Sequence, residues 1–382
     1  MNRDQQLRTT GYLAFFLSGI CAISSGVIVS ILREQYGFSY GTTGTMLSFM
    51  NIGNMIASFA SGILPGKIGT RKTVALLCSG YFLGYLTMFF SRITGILIGA
   101  FFLVGLAKGC ALNNCTVLVG NHSTDRTKGI SLMHSCYAAG ALLCPFLITA
   151  LAFLSPTFPM AGISAAGLLM WILFFLARLP GISRTDSTGK ETHSRDFLKS
   201  RTFWLLTLLL FCQNAAEISV TGWLVTYYKN QGILSGTLST YTVTIMWGAT
   251  LIARLLIAFV FPIKNTFRAL SVMGLGCTVM YAALLYTSTP LSAILALFAF
   301  SFSMAGVNPV AVSGVGKSMS SASMGVMLPL AGIGAILVPW IIGVVADQVS
   351  LRAGMLCNLV PCAGILILSL ILLKMPQSTT EF

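Results

Sequence analysis

Three charged residues, Lys108, Glu217 and Arg254, lie inside long apolar stretches of the sequence. A charge in hydrocarbon is costly unless it is paired or hydrated, so such residues usually mark an ion or substrate pathway. Lys108 and Glu217 fall near the middles of their stretches. We therefore expect both near the midplane of a bilayer, where chemistry on a bound solute or proton is possible.

Glu217 and Lys108 each allow more than one interpretation. Glu217 is predicted to carry a proton or to accept hydrogen bonds from substrate hydroxyls, because neutralising a buried carboxylate relieves its cost. Alternatively, it is a fixed partner of Lys108 or a helix-packing group. Lys108 is predicted to bind a substrate anion or a sugar oxygen, or to form a switchable or a permanent ion pair with Glu217.

Amide and aromatic side chains accompany these charges. Gln213, Asn214 and Glu217 share one helix face, because positions three and four apart are neighbours on a helix. Amides donate and accept hydrogen bonds, which suits a polyhydroxylated ligand, and indole rings can stack on a sugar. The predicted substrate-binding residues are Lys108, Asn113, Asn114, His134, Gln213, Asn214, Glu217, Trp223, Trp247 and Asn308. For His134, a packing contact is the alternative.

The composition requires a membrane. The 382 residues are 55% hydrophobic and 8% charged, whereas soluble domains carry about 25% charged residues. Long unbroken apolar runs favour helices over the alternating strands of a barrel. The net charge of +14 is spread singly between these runs, which argues against nucleic acid as a partner. Ten cysteines without a CxxC pair or a histidine cluster indicate no metal site and no cofactor.

The sequence predicts an all-α membrane protein with twelve transmembrane helices in two pseudo-symmetric six-helix bundles. A span needs about 20 apolar residues, and the first run is expected to be retained as a span. The predicted domains are an N-terminal bundle at 1–178, a cytoplasmic linker at 179–201 and a C-terminal bundle at 202–382. The predicted spans are 10–32, 42–64, 73–91, 93–119, 130–153, 158–177, 203–228, 233–261, 267–287, 290–313, 321–345 and 352–373.

The basic residues predict the orientation. With both termini cytoplasmic, seventeen of the twenty-three Lys and Arg residues fall in inside segments and four in outside segments. This bias follows the positive-inside rule for an inner or plasma membrane, and an odd number of spans would remove it.

The two halves also resemble each other at an offset near 195 residues. The segment 140–145 (GALLCP) resembles 334–339 (GAILVP), and Asn113 corresponds to Asn308. Two six-span repeats of the same orientation imply a pseudo-two-fold axis along the membrane normal, with a binding site where the halves meet.

The loop at 62–72 (GILPGKIGTRK) resembles the signature of the major facilitator superfamily, and the chain resembles this family over essentially its whole length. Gly66 replaces the usual aspartate of that signature. The stretches GLAKGCALNNCTVLVG, LMHSCYAAGALLCP and AEISVTGWLVTYY resemble the fucose- and glucose-type sugar permeases.

This resemblance implies a monomeric, alternating-access symporter for a small polar solute, a monosaccharide, driven by a proton gradient through Glu217. It also implies that Arg254 organises the cytoplasmic end of span 8. The acid that such permeases often carry in span 4 is replaced by Gly109 beside Lys108. Two alternatives stay open: a proton-coupled exporter of drugs or organic ions, and a transporter of an acidic sugar or carboxylate. An enzyme is not expected, since the sequence has no HExxH, nucleophile-elbow or P-loop motif.

Overall fold

The computed structural model describes residues 3–124, 126–177, 195–260, 263–313 and 321–375, and within these ranges every regular element is a helix. Twelve spans are long and apolar enough to cross a membrane, as the sequence predicted. The helices of the twelve spans, in chain order, are Arg3–Ile23 with Ser25–Tyr36, Tyr40–Ile68, Thr70–Phe90, Thr94–His122, Arg126–Ala152, Phe158–Leu176, Arg201–Asn230, Gly236–Thr240 with Thr242–Phe259, Thr266–Leu285, Pro290–Met304 with Val307–Ser313, Ser321–Gln348, and Leu351–Cys357 with Leu359–Lys374.

Local sequence explains where several of these helices begin. The side chain of Ser39 accepts a hydrogen bond from the Thr42 amide at 3.1 Å and caps span 2. Thr289 and Ser292 form a reciprocal capping box at the start of span 10, with Pro290 in the first turn. Such caps satisfy amides that have no partner inside the helix.

The signature loop between spans 2 and 3 is much shorter than the sequence predicted. Span 2 continues through Pro65 to Ile68, and span 3 begins at Thr70. The one residue between them, Gly69, has a φ of 86°, a backbone conformation that favours glycine. Arg71 then lies 4.3 Å from the ring centroid of Phe175 and donates to its carbonyl oxygen at 3.4 Å. The signature arginine therefore holds the end of span 6 of the same unit.

The chain divides into two compact units, Met1–Lys190 and Glu191–Phe382, and each contains six spans. In the first unit, span 1 packs on span 5, span 2 on span 4, and span 3 on span 6. In the second unit, span 7 packs on span 11, span 8 on span 10, and span 9 on span 12. The pairing is thus the same after a shift of six spans. Most of the predicted linker at 179–201 lies outside the described residues.

Two glycines show the repeat at the level of atoms. A Cβ added at Gly140 in span 5 would lie 2.0 Å from the carbonyl oxygen of Phe16 in span 1. A Cβ added at Gly334 in span 11 would lie 2.2 Å from the carbonyl oxygen of Phe211 in span 7. Both glycines therefore allow the same close contact between paired helices, at the offset that the sequence suggested.

Candidate functional site

A ladder of polar side chains connects spans 7 and 10 in the second unit. Asn308 donates through Nδ2 to Gln213 Oε1 at 3.0 Å, and Gln213 donates through Nε2 to Glu217 Oε2. Gln213 is almost fully buried, whereas Asn308 and Glu217 are half-buried. The helical spacing of four residues brings Gln213 and Glu217 together, as predicted. The ladder therefore connects the Glu217 carboxylate through Gln213 to Asn308 on span 10.

Glu217 also lines a small pocket between spans 7, 8 and 10. Span 8 contributes one face of its helix, because Met246, Trp247, Thr250 and Arg254 follow helical spacing. The pocket is lined by Glu217, Met246, Trp247, Thr250, Arg254, Phe300, Ser301, Met304 and Ala305. Within this lining, Glu217 and Arg254 carry opposite charges, and Trp247 and Phe300 present aromatic surface.

Arg254 is held against the point where span 10 breaks. Its Nε donates to the carbonyl oxygen of Ala305 at 3.3 Å, just after the first helix of span 10 ends at Met304. A cation beside the carbonyls at a helix end is favourable. Arg254 therefore ties span 8 to span 10, and it lines the same pocket as Glu217.

The other predicted residues of span 7 differ in their surroundings. Trp223 is fully buried and donates through Nε1 to the carbonyl oxygen of Pro339 at 3.0 Å, which connects span 7 to span 11. Asn214 is half-buried beside Gln213. Of the predicted residues of this unit, Glu217 and Trp247 line the pocket, and Gln213 and Asn308 reach it through the ladder. Direct contact of any of them with a solute stays a prediction.

The predicted residues of the first unit make separate local contacts. Asn113 donates through Nδ2 to the carbonyl oxygen of Ser58 at 2.8 Å, which joins span 4 to span 2. Asn114 donates to the carbonyl oxygen of Cys110, one turn earlier, at 2.9 Å. The ring of His134 meets that of Phe15 edge to face, with centroids 5.5 Å apart.

Lys108 is half-buried in the middle of span 4. It belongs to the first unit and Glu217 to the second. An ion pair between the two therefore stays a prediction.

Sequence reasoning did not select Thr250 or Ser301 as site residues. Thr250 lies four residues before Arg254 and three after Trp247, so helical spacing from two residues already considered could have identified it. Ser301 has no such signal, because a single serine in an apolar helix is common in membrane proteins. Its place on the pocket depends on how span 10 packs against spans 7 and 8.

Comparisons with known proteins agree with the twelve-span architecture. The model of the Major Facilitator Superfamily matches residues 11–339. The gallate transporter of Pseudomonas putida is 24% identical, with 77% of this chain and 74% of that protein aligned. Protein TsgA of Escherichia coli is 21% identical, with 79% and 78% aligned.

Solved structures share the fold at low sequence identity. The crystal structure of the nucleoside transporter NupG has a TM-score of 0.77 at 15% identity, covering 98% of this chain and 100% of that chain. The D-xylose–proton symporter has a TM-score of 0.78 at 15% identity, covering 100% of both chains. The chain therefore belongs to the major facilitator superfamily, and it is a membrane transporter of small solutes and not an enzyme.

Proposed function

We propose that this protein is a proton-coupled symporter for a small polyhydroxylated solute of the monosaccharide class, and that Glu217 carries the proton. One observation carries the proposal: Glu217 lines a pocket between spans 7, 8 and 10 and is connected through Gln213 to Asn308 on span 10. A carboxyl group at this position can take up or release a proton. The same event alters the hydrogen bonds that connect span 7 to span 10.

The ladder gives protonation a mechanical consequence. A hydrogen bond to a charged carboxylate is about twice as strong as one between neutral groups. Protonation of Glu217 therefore weakens its bond with Gln213, and Gln213 in turn holds Asn308. The contact between spans 7 and 10 becomes looser in the protonated state, and solute hydroxyls can compete for the released amide groups.

The known relatives support transport of a polar solute. Of the proteins with similar structures, one is named a nucleoside transporter and another a D-xylose–proton symporter. The gallate transporter favours a second candidate, a solute with a carboxyl group, since gallate is an acid. We further propose that the protein works as a monomer in the inner or plasma membrane with both termini cytoplasmic, in line with its distribution of basic residues.

Uptake into proteoliposomes under an imposed pH gradient tests this function. Labelled hexoses, pentoses and hydroxylated acids should accumulate when the outside is acidic, and dissipating the gradient should abolish the accumulation. In Glu217→Gln, accumulation should be lost while exchange of solute across the membrane without a gradient persists. Glu34→Gln is the matched control, because Glu34 is exposed near the end of span 1.

Two results would contradict the proposal. One is accumulation in Glu217→Gln equal to that of the unchanged protein. The other is a lack of response to every polar solute together with proton-driven movement of lipophilic cations, which would make the protein a drug exporter.

A further inference from the structure

Ser301 is a buried hydroxyl group on the pocket that also holds Arg254 and Glu217. Its side chain is 2% exposed, and its Oγ has no hydrogen-bond partner within the described part of the chain. Leaving a buried polar group unsatisfied is costly, so such groups usually have a partner or a bound ligand. Ser301 lines the pocket, and we take a group bound there to be the partner of its hydroxyl.

Arg254 lines the same pocket as Ser301. Its Nε donates to Ala305, which follows Ser301 by four residues and therefore lies one helical turn away. With Nε directed to that carbonyl, the guanidinium orientation is fixed, and its two Nη groups are donors for further contacts. A guanidinium group forms strong charge-assisted hydrogen bonds with a carboxylate oxygen.

The pocket has room for about one water-sized group. It therefore suits one oxygen of a solute better than a whole ring. Guanidinium and hydroxyl donors together select an oxygen that accepts hydrogen bonds and carries negative charge. The rest of the solute would lie beyond the pocket, with Glu217 as acceptor for its hydroxyl groups.

We propose that Arg254 and Ser301 form a subsite for the carboxylate of a small hydroxylated acid, such as a sugar acid or a hydroxybenzoate. This inference deepens the proposed function, on which it rests, by assigning a substrate class to the same pocket. It also gives Arg254 a binding role in addition to its contact with Ala305.

Charge balance then explains coupling to protons. The two charged residues of the lining, Glu217 and Arg254, have opposite signs. A bound carboxylate adds one negative charge in a medium of low dielectric constant, where an unbalanced charge is costly. Protonation of Glu217 removes one negative charge from the same lining and so offsets the charge of the bound carboxylate. One proton is therefore expected to move with each carboxylate, without net charge movement.

Binding of matched acids and neutral solutes to the purified full-length protein tests the subsite. The probes are D-galacturonate against D-galactose and gallate against pyrogallol, each pair sharing a ring and differing in the carboxyl group. We expect an acid to bind more tightly than its neutral counterpart. Arg254→Gln should weaken the acid about tenfold or more and the neutral solute less than about threefold, since bonds to charged groups are the stronger ones.

Further variants separate binding from folding. Ser301→Ala should weaken the acid about threefold to tenfold, because it removes one donor to a charged oxygen. Arg254→Lys should recover part of the affinity, since it keeps the charge but not the planar fork. The controls are Arg268→Gln, exposed at the start of span 9, and Ser303→Ala, whose hydroxyl donates to the carbonyl of Ala299. Both should bind the acid normally, and thermal unfolding should show that every variant is folded.

The outcomes distinguish this inference from the proposed function. If no acid binds, or if Arg254→Gln and Ser301→Ala bind the acid as the unchanged protein does, the subsite is wrong. Proton-driven uptake of a neutral sugar that needs Glu217 but is insensitive to both substitutions would keep the symporter and discard the subsite. Acid binding that depends on Arg254, without any response of uptake to a pH gradient, would keep the subsite and discard proton coupling.

Discussion

The two six-span units have the same helix pairing but use their polar residues differently. In the first unit, the hydroxyl groups of Ser18 and Tyr81 lie 2.9 Å apart, and both side chains are fully buried. At the offset of 195 residues, the second unit has Gln213 in place of Ser18 and Glu217 in place of Ala22. The same backbone position thus supports a closed hydroxyl pair in one unit and an amide–carboxylate ladder in the other.

The charge on span 8 extends this difference. Arg254 corresponds to Phe59 on span 2, which is exposed on its own unit, so the first unit has neither charge of the pocket. The repeat preserves the helix contacts that build each unit, while the side chains that can bind a solute have diverged. This is expected, because a close contact between helices tolerates few substitutions. Substitutions in the lining of a pocket, in contrast, are what give each unit its own binding properties.

The largest expected effect concerns the close helix contacts that the two units share. Gly140→Leu and Gly334→Leu should each prevent stable folding, because a Cβ at either position overlaps a carbonyl oxygen of the paired helix. Overpacking typically costs about 1–3 kcal/mol, and a clash with backbone costs more. Yield and thermal unfolding of detergent-purified protein measure the effect. Gly332→Ala is the control, since no atom lies within 4 Å of its added Cβ.

A marked difference between the two leucine variants would show that the units are not equivalent in packing. If Gly334→Leu folded normally while Gly140→Leu did not, the close contact between spans 7 and 11 would be dispensable. The shared helix pairing would then not account for the stability of the second unit.

Asn113 and Asn308 occupy corresponding positions in the two units but make different contacts. Asn113 donates to the backbone of Ser58, whereas Asn308 donates to the side chain of Gln213 in the ladder. Asn113→Ala and Asn308→Ala should each lower the free energy of unfolding by about 1 kcal/mol, the usual contribution of one hydrogen bond. Only Asn308→Ala should reduce proton-driven uptake, by about tenfold, because it disturbs the groups that orient Glu217.

Uptake at matched amounts of folded protein checks this prediction. Equal losses of uptake in both variants would place the two asparagines in one functional site and contradict the division of roles between the units. An unchanged uptake in Asn308→Ala would remove Asn308 from the ladder's function.

The architecture was predictable from the sequence, because a span is a long apolar run whose composition is decided by the bilayer. Helix ends were less predictable. Span 2 extends to Ile68 and span 3 begins at Thr70. Both helices continue beyond the apolar core, and their polar ends carry Lys67 and Arg71.

The candidate site was only partly predictable, for a different physical reason. Glu217 is conspicuous, because a carboxylate in an apolar run is costly. Whether an amide faces a ligand or a neighbouring carbonyl depends on tertiary contacts, which is why Asn113 and Asn308 look alike in sequence but differ in structure. Ser301 joins the pocket only through the packing of span 10, and no local pattern encodes that contact.

The smallest expected effect concerns a surface contact of the first unit. His122 Nδ1 and Asp4 Oδ1 lie 2.8 Å apart and join the end of span 4 to the start of span 1. The Asp4 side chain is 62% exposed, and the contact is an ion pair only when His122 is protonated. Exposed ion pairs contribute about 0–1 kcal/mol, less at high salt. His122→Gln should therefore change thermal unfolding and uptake only slightly, and less in high salt than in low salt. A large loss of stability would mean that this unit depends on its surface charges, and not only on the buried contacts that it shares with the second unit.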